Sequence, residues 1–153
     1  METVSTTNLL DPWYVTGFVD GEGSFTYSRA GRNVVPFFAI KLTAEDVGIL
    51  ESIQDFFGGI GKIYHLLPRP ARTPRSGFTK AARFYRVGRN SELQRVLEHF
   101  DQFPLRGTKA ASFAIWREMV ILKRDFRKAS KELLAGLAEQ LSAASPRNKP
   151  WVP

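Results

Sequence analysis

Two carboxylates, Asp20 and Glu22, sit in the run Trp13-Tyr14-Val15-Thr16-Gly17-Phe18-Val19-Asp20-Gly21-Glu22-Gly23-Ser24-Phe25. Asp11-Pro12 just before it pairs a good N-cap with the residue favoured at the first helical position. The spacing predicts a helix from Pro12 to about Gly21, so both acids fall where that helix runs out. A helix C-terminus carries unpaired carbonyls and a partial negative charge. A carboxylate added there offers oxygen ligands to a divalent cation. One carboxylate is a poor cage, but two copies across a twofold axis make a usable one. Gly17 and Gly21, four apart, share a helical face on which another backbone can approach closely. The plainer use of such acids is a pair of solvated carboxylates at a helix end.

The charge balance points to a polyanionic partner. The 153 residues hold 22 Lys and Arg against 15 Asp and Glu, a net charge of +7. Residues 1–61 are acidic, with Arg29, Arg32 and Lys41 as their only bases, whereas residues 62–95 set many bases against Glu92 alone. Arginine suits bidentate contacts to phosphate and guanine. Arg69, Arg72 and Arg75 recur every third residue among Pro68, Pro70 and Pro74. In a polyproline II segment they would share one side, giving phosphate contacts that carry affinity rather than sequence choice; otherwise they are a solvated loop. With no cysteine, disulfides, thiol catalysis and thiolate zinc are excluded. Only His65 and His99 remain as imidazoles, and neither has metal-ligand spacing; His99 reads as structural and His65 as a candidate contact to the polyanionic partner. No apolar run approaches a membrane span or a signal peptide.

The elements that must position these residues alternate in type. A hairpin follows the first helix: strand Ser24–Ala30, turn Gly31-Arg32-Asn33, strand Val34–Leu42. Thr43-Ala44-Glu45-Asp46 resembles a capping box opening a helix through Val47, Leu50, Ile53 and Phe57. A second hairpin runs from Ile60–Tyr64, through a Pro- and Arg-rich connection, to a return strand near Ala81–Val87. Ser91-Glu92-Leu93-Gln94 reads as another capping box. Thr108 would cap a helix bearing Phe113, Trp116, Met119 and Val120, and a last helix spans about Ser130 to Ser142. One domain over 1–153 is expected, its core about 11–126, with the final helix and tail about 127–153. The class is α+β, an antiparallel four-stranded sheet with helices on one face.

Alternation assigns the outer face of that sheet. Phe25 and Tyr27 look inward, so Ser24, Thr26, Ser28 and Ala30 look outward, and Lys41, Lys62 and Tyr64 fit the same face. On the fourth strand Arg83 shares a face with Tyr85 and Val87, and Arg86 with Phe84; either arginine could meet DNA. A β-ribbon in the major groove brings such side chains to base edges. Arg29, Arg32 and Lys80 complete the candidate DNA contacts.

Val15-Thr16-Gly17-Phe18-Val19-Asp20-Gly21-Glu22-Gly23 resembles, position by position, the LAGLIDADG motif of homing endonucleases, and the helix–strand–strand–helix–strand–strand–helix order is similar to that family's core. Phe103-Pro104-Leu105-Arg106-Gly107-Thr108-Lys109 resembles its Pro-Leu…Lys segment. The resemblance implies a LAGLIDADG fold and Glu22 as catalytic acid. Glu22 and the Gly21 carbonyl would ligate Mg²⁺ beside the scissile phosphates, with Mn²⁺ as substitute and Ca²⁺ supporting binding but little cleavage. Lys109 would reach the active site, and Asp20 would be more structural. With one motif copy, the chain is expected to act as a homodimer through Gly17, Gly21 and Asp20, cutting a pseudo-palindromic double-stranded DNA site. Neither a membrane nor a small-molecule substrate is expected. The implied location is intracellular, in cytoplasm, nucleoid or an organelle housing the host gene, with a mobile-intron or intein origin. Ala44 stands where the family often places a polar residue that organises water, a task that would pass to Arg106 or Lys109. The rival reading is a LAGLIDADG DNA- or RNA-binding protein with little or no cleavage, such as a maturase or regulator.

Overall fold

The computed structural model describes residues 9–43, 45, 48–69, 80–126 and 130–145. Asp11 caps the first helix, α1 (Pro12–Glu22), its carboxylate accepting the Trp13 amide at 2.8 Å and the Tyr14 amide at 3.3 Å. The chain passes at once into β1 (Gly23–Ala30), turns at Gly31 with φ +63° and Arg32, and returns as β2 (Asn33–Thr43). Next come α2 (Ile49–Phe56), β3 (Lys62–Leu66), β4 (Ala82–Val87), α3 (Asn90–Gln102), α4 (Lys109–Asp125) and α5 (Lys131–Ala144).

The four strands form one antiparallel sheet in the order β1-β2-β4-β3, so both hairpins meet at the β2·β4 pair in its middle. One face is dry. Phe25, Phe38, Ile40, Tyr85 and Val87 stand on it and join Val15 and Val19 of α1, Leu50 and Ile53 of α2, and Phe100 and Trp116 of α3 and α4 in one core. The Trp116 indole reaches up from α4 and donates to the carbonyls of Thr26 and Phe37 at 3.1 and 3.0 Å, tying the first hairpin to the helical layer. Gly61, with φ +73°, must be glycine, because a Cβ there would lie 2.6 Å from the Arg86 carbonyl.

Two helix starts differ from the capping boxes expected. Thr43 stays in β2, paired with Ala82, and α2 opens six residues later from Gly48, which has φ +102° and gives no side-chain cap; Ala44, Asp46 and Val47 lie outside the described residues. The helix α3 opens at Asn90, one residue before Ser91. The Gln94 amide reaches back to Asn90, and Glu92 instead accepts the Gly61 amide at 3.1 Å. The Gln94 side chain that would have closed the box is thus spent on Asn90, one turn back in the same helix. Thr108 precedes α4 without a side-chain cap bond, whereas Ser130 accepts the Leu133 amide and does cap α5. Among the described residues no helix is long and apolar enough to cross a membrane.

Candidate functional site

The end of α1 is fixed by Gly23. Its N–H donates to the Val19 carbonyl, and a Cβ there would sit 2.6 Å from Val19 Cγ1 and 3.0 Å from Val19 O. Only glycine lets the helix turn this tightly into β1. The preceding residue, Glu22, is therefore left exposed at the helix end. Beside it, Asp20 holds the segment before α4: Oδ2 accepts the Arg106 amide at 2.9 Å and Oδ1 the Gly107 amide at 3.1 Å. The next helical residue, Lys109, donates from Nζ to the Val19 carbonyl at 3.4 Å. Asp20, Gly21, Ser24, Thr26 and Lys109 line a cleft of about 480 Å³ between the end of α1, β1 and the start of α4.

A second set of bonds, from the other side of α1, docks the same segment. The Thr16 hydroxyl donates to the Phe103 carbonyl at 2.8 Å and lies 3.0 Å from His99 Nε2. Since the hydroxyl proton goes to the carbonyl, His99 donates through Nε2 in its neutral form. Phe56, Phe57, Phe100 and Phe103 surround the imidazole, and burial lowers its pKa to about 4.

The far face of α1 is open. Trp13 and Tyr14 are 49% and 48% exposed, and a Cβ at Gly17 or Gly21 would meet nothing within 4 Å. A helix that leaves two aromatic rings and two bare glycines in water has a surface fit for close backbone packing.

The outward face of the sheet carries Ser24, Thr26 and Ser28 on β1, Phe37 and Lys41 on β2, Phe84 and Arg86 on β4, and Lys62 and Tyr64 on β3, as the register sets them opposite one another. Arg83 is on the other face. It pairs with Leu42 and His65, and its guanidinium bonds to Glu51 of α2 at 3.2 Å, which removes it from the outer surface. Arg29 likewise shares the inner side with Phe25 and Tyr27, at the end of the hairpin, its guanidinium 5.4 Å from the Tyr27 ring centroid. Arg32, Lys80 and Arg69 are exposed, the first in the hairpin turn and the others at either end of the connection between β3 and β4. Arg72 and Arg75 lie outside the described residues.

Two features were not read from the sequence. Thr16 and His99 are 83 residues apart, and no local pattern joins them, although a threonine between Val15 and Val19 on a buried helix face signals a hydrogen bond to be met. The stacking of Arg86 on Phe37, at 3.8 Å from the ring centroid, joins two strands through residues far apart in sequence. Strict alternation sets Phe37 outward, opposite Thr26.

The chain matches the family model described as LAGLIDADG endonuclease over residues 15–120. It is 32% identical over 131 residues to an uncharacterized 50.9 kDa protein in ND4 intron 1 of Podospora anserina, covering 80% of this chain and 26% of that one. To the probable intron-encoded endonuclease 3 of Neurospora crassa it is 27% identical, covering 78% of this chain and 22% of that one. The chain thus spans about a quarter of the length of the curated relatives it matches. Among solved structures, the homing endonuclease I-TnaI superposes with a TM-score of 0.69 at 27% identity, covering 88% of each chain. The LAGLIDADG meganuclease I-AabMI bound to uncleaved DNA superposes at 0.70 with 29% identity, over 88% of this chain and 44% of that one. The motif run through Glu22, the α+β sheet whose outer face is bare of helices, and these likenesses agree: the chain belongs to the LAGLIDADG endonuclease family.

Proposed function

We propose that the chain acts as a homodimeric, site-specific endonuclease, binding a long pseudo-palindromic DNA duplex and hydrolysing one phosphodiester on each strand with a divalent metal. The observation that carries this reading is the placement of Glu22. It is exposed at the end of the same helix whose Gly17/Gly21 face is open, so two copies packed on that face bring two Glu22 carboxylates together at one axis.

Among the described residues of a single chain, no cluster of three or more His, Asp or Glu side chains could hold a metal. Glu22 and the Gly21 carbonyl are hard oxygen donors suited to Mg²⁺, with Mn²⁺ as a substitute, and a second copy would complete the set. A bound Mg²⁺ supplies Lewis-acid stabilisation of phosphate charge and a more acidic water. Lys109, which lines the cleft between the end of α1 and the start of α4, offers its ammonium to charge developing on the phosphate. The outer face of the sheet, with Lys41, Lys62 and Arg86, lies along the duplex. Relatives described as intron-encoded endonucleases support an intracellular setting with an intron-borne gene.

The test is cleavage of duplexes from a random or genomic library, with and without Mg²⁺. Cut sites made of two related half-sites are the expected result. Binding of a selected duplex that is never cut would leave a binding protein such as a maturase or regulator, and a monomer that binds one half-site would remove the dimer.

A further inference from the structure

The outward face of the sheet carries a cation that the chain itself orients. The Arg86 guanidinium stacks on the Phe37 ring at 3.8 Å from its centroid, and the Phe37 backbone is held from below by the Trp116 indole at 3.0 Å. Among the described residues no carboxylate lies within ion-pair distance of Arg86. Glu92, which lines the same recess, is turned to the Gly61 amide. A guanidinium stacked by its face keeps its edge available for hydrogen bonds, and it has given up rotamer freedom before a ligand arrives.

Two residues earlier on β4, Phe84 faces the same way, its ring 6.3 Å from that of Tyr64. Tyr64 and Leu66 are 46% and 38% exposed, and Leu67 beyond them is 80% exposed. Such a patch beside Lys62 and Arg86 calls for a partner that is anionic overall yet apolar at one spot. In the major groove guanine offers two acceptors that match an arginine fork, and thymine offers the only methyl group. The two subsites are two residues apart on one strand, about 7 Å, so they fall within a few base pairs of each other.

We propose that Arg86, pre-oriented by Phe37, reads a guanine, and that Tyr64, Phe84 and Leu66 read the methyl groups of neighbouring thymines, so that each half-site holds a G beside T-rich positions. This rests on the DNA-binding reading above. Phe37 is a positioning residue: it acts on the base only through Arg86.

The experiment selects duplexes bound by the full chain from a random library, then measures affinities for the selected duplex and its variants. Arg86→Lys keeps the charge and loses the fork. It should forfeit roughly 5- to 150-fold discrimination at one guanine while the salt dependence stays the same. Phe37→Leu should weaken preference at that same guanine, and the double variant should lose little more than Arg86→Lys alone. Replacing thymine by deoxyuridine removes only a methyl and should cost the wild type about fourfold per contact; Tyr64→Ala should no longer tell the two apart. Full guanine discrimination in Arg86→Lys, or no thymine–deoxyuridine difference in the wild type, overturns the assignment. Failure to select any duplex would instead overturn DNA binding itself. If Phe37→Leu does not fold, Arg86→Lys and the deoxyuridine duplex still decide the matter.

Discussion

Lys109 donates from Nζ to the main-chain carbonyl of Val19 at 3.4 Å, across 90 residues of sequence. A lysine in the first turn of a helix faces the positive end of its own dipole, which is mildly unfavourable. Here the start of α4 abuts the end of α1, whose carbonyls carry the opposite charge, and the ammonium is drawn to them. The cost on one helix is offset by the other, and the lysine is held at the end of α1, in the cleft that Gly21 also lines. Replacing Lys109 by Met keeps most of the stem and removes the charge. Cleavage of a bound duplex should fall by ~10-fold or more, with melting temperature and duplex affinity changed little; equal single-turnover rates for the two proteins would remove Lys109 from the chemistry.

Gly17→Leu should convert a dimer into a monomer without unfolding it. A Cβ at Gly17 meets nothing within 4 Å in the chain, so the fold has room for the side chain, and only a second copy would feel it. Sedimentation should show loss of association alongside an unchanged circular dichroism spectrum. A native dimer in the variant would place the interface elsewhere.

His99 should make the fold acid-sensitive. Its folded-state pKa is lowered by burial from 6.5 to about 4. Between those values the unfolded chain binds a proton that the folded chain refuses, so stability rises with pH there. The contribution is fully present above about 6.5 and is lost as pH falls through about 4, amounting to ~1–2 kcal/mol once partial solvent screening of the ring is allowed for. His99→Gln should be less stable at neutral pH and show a flatter dependence of urea midpoint between pH 4 and 6.5. An unchanged slope would mean that the ring charges in place.

What the sequence disclosed was local. Asp11-Pro12 marked the start of α1, the glycines marked its end, and alternation marked the two faces of β1. Where a residue answers to a distant partner, local reading stopped short. Thr43 looked like a helix cap but is claimed by its pairing with Ala82, and Ser91 and Glu92 looked like the opening of a box but sit inside α3, with Glu92 committed to Gly61. Arg83 and Arg86 are indistinguishable by composition. Tyr85 between them settles their faces, since it is fully buried and adjacent strand residues point oppositely. The site followed the same rule: Glu22 could be found from its motif, while the bonds by which Thr16 and Asp20 dock the 103–109 segment depend on contacts more than 80 residues apart.

Asp20→Asn should therefore damage the scaffold. The carboxylate accepts two backbone amides at once, whereas asparagine has one acceptor and sets an NH₂ against the other amide. A loss of ~1–2 kcal/mol is expected for these partly exposed bonds, read as a lower urea midpoint. Wild-type stability in the variant would show that the 103–109 segment is held without it.

Glu22→Gln should do the reverse. It keeps the shape and nearly all the volume of an exposed side chain that no described residue engages, so the fold should melt as before. It removes a negative charge from each subunit at the point where two copies would set their carboxylates beside the scissile phosphates. Oxygen ligands for Mg²⁺ must include charge to compete with its hydration shell, and the ion's contribution to hydrolysis is several kcal/mol. Cleavage should fall by orders of magnitude, while duplex affinity holds or rises, because two like charges near phosphate are gone. In the wild type, Ca²⁺ should permit binding with little cutting, its looser coordination failing to organise the reacting groups. Binding and cleavage are measured on one selected duplex, in Mg²⁺ and in Ca²⁺, for wild type, Glu22→Gln and Asp20→Asn. If Glu22→Gln cuts at the wild-type rate, Glu22 is not the metal ligand. If it neither cuts nor binds while melting normally, the carboxylate serves recognition rather than hydrolysis.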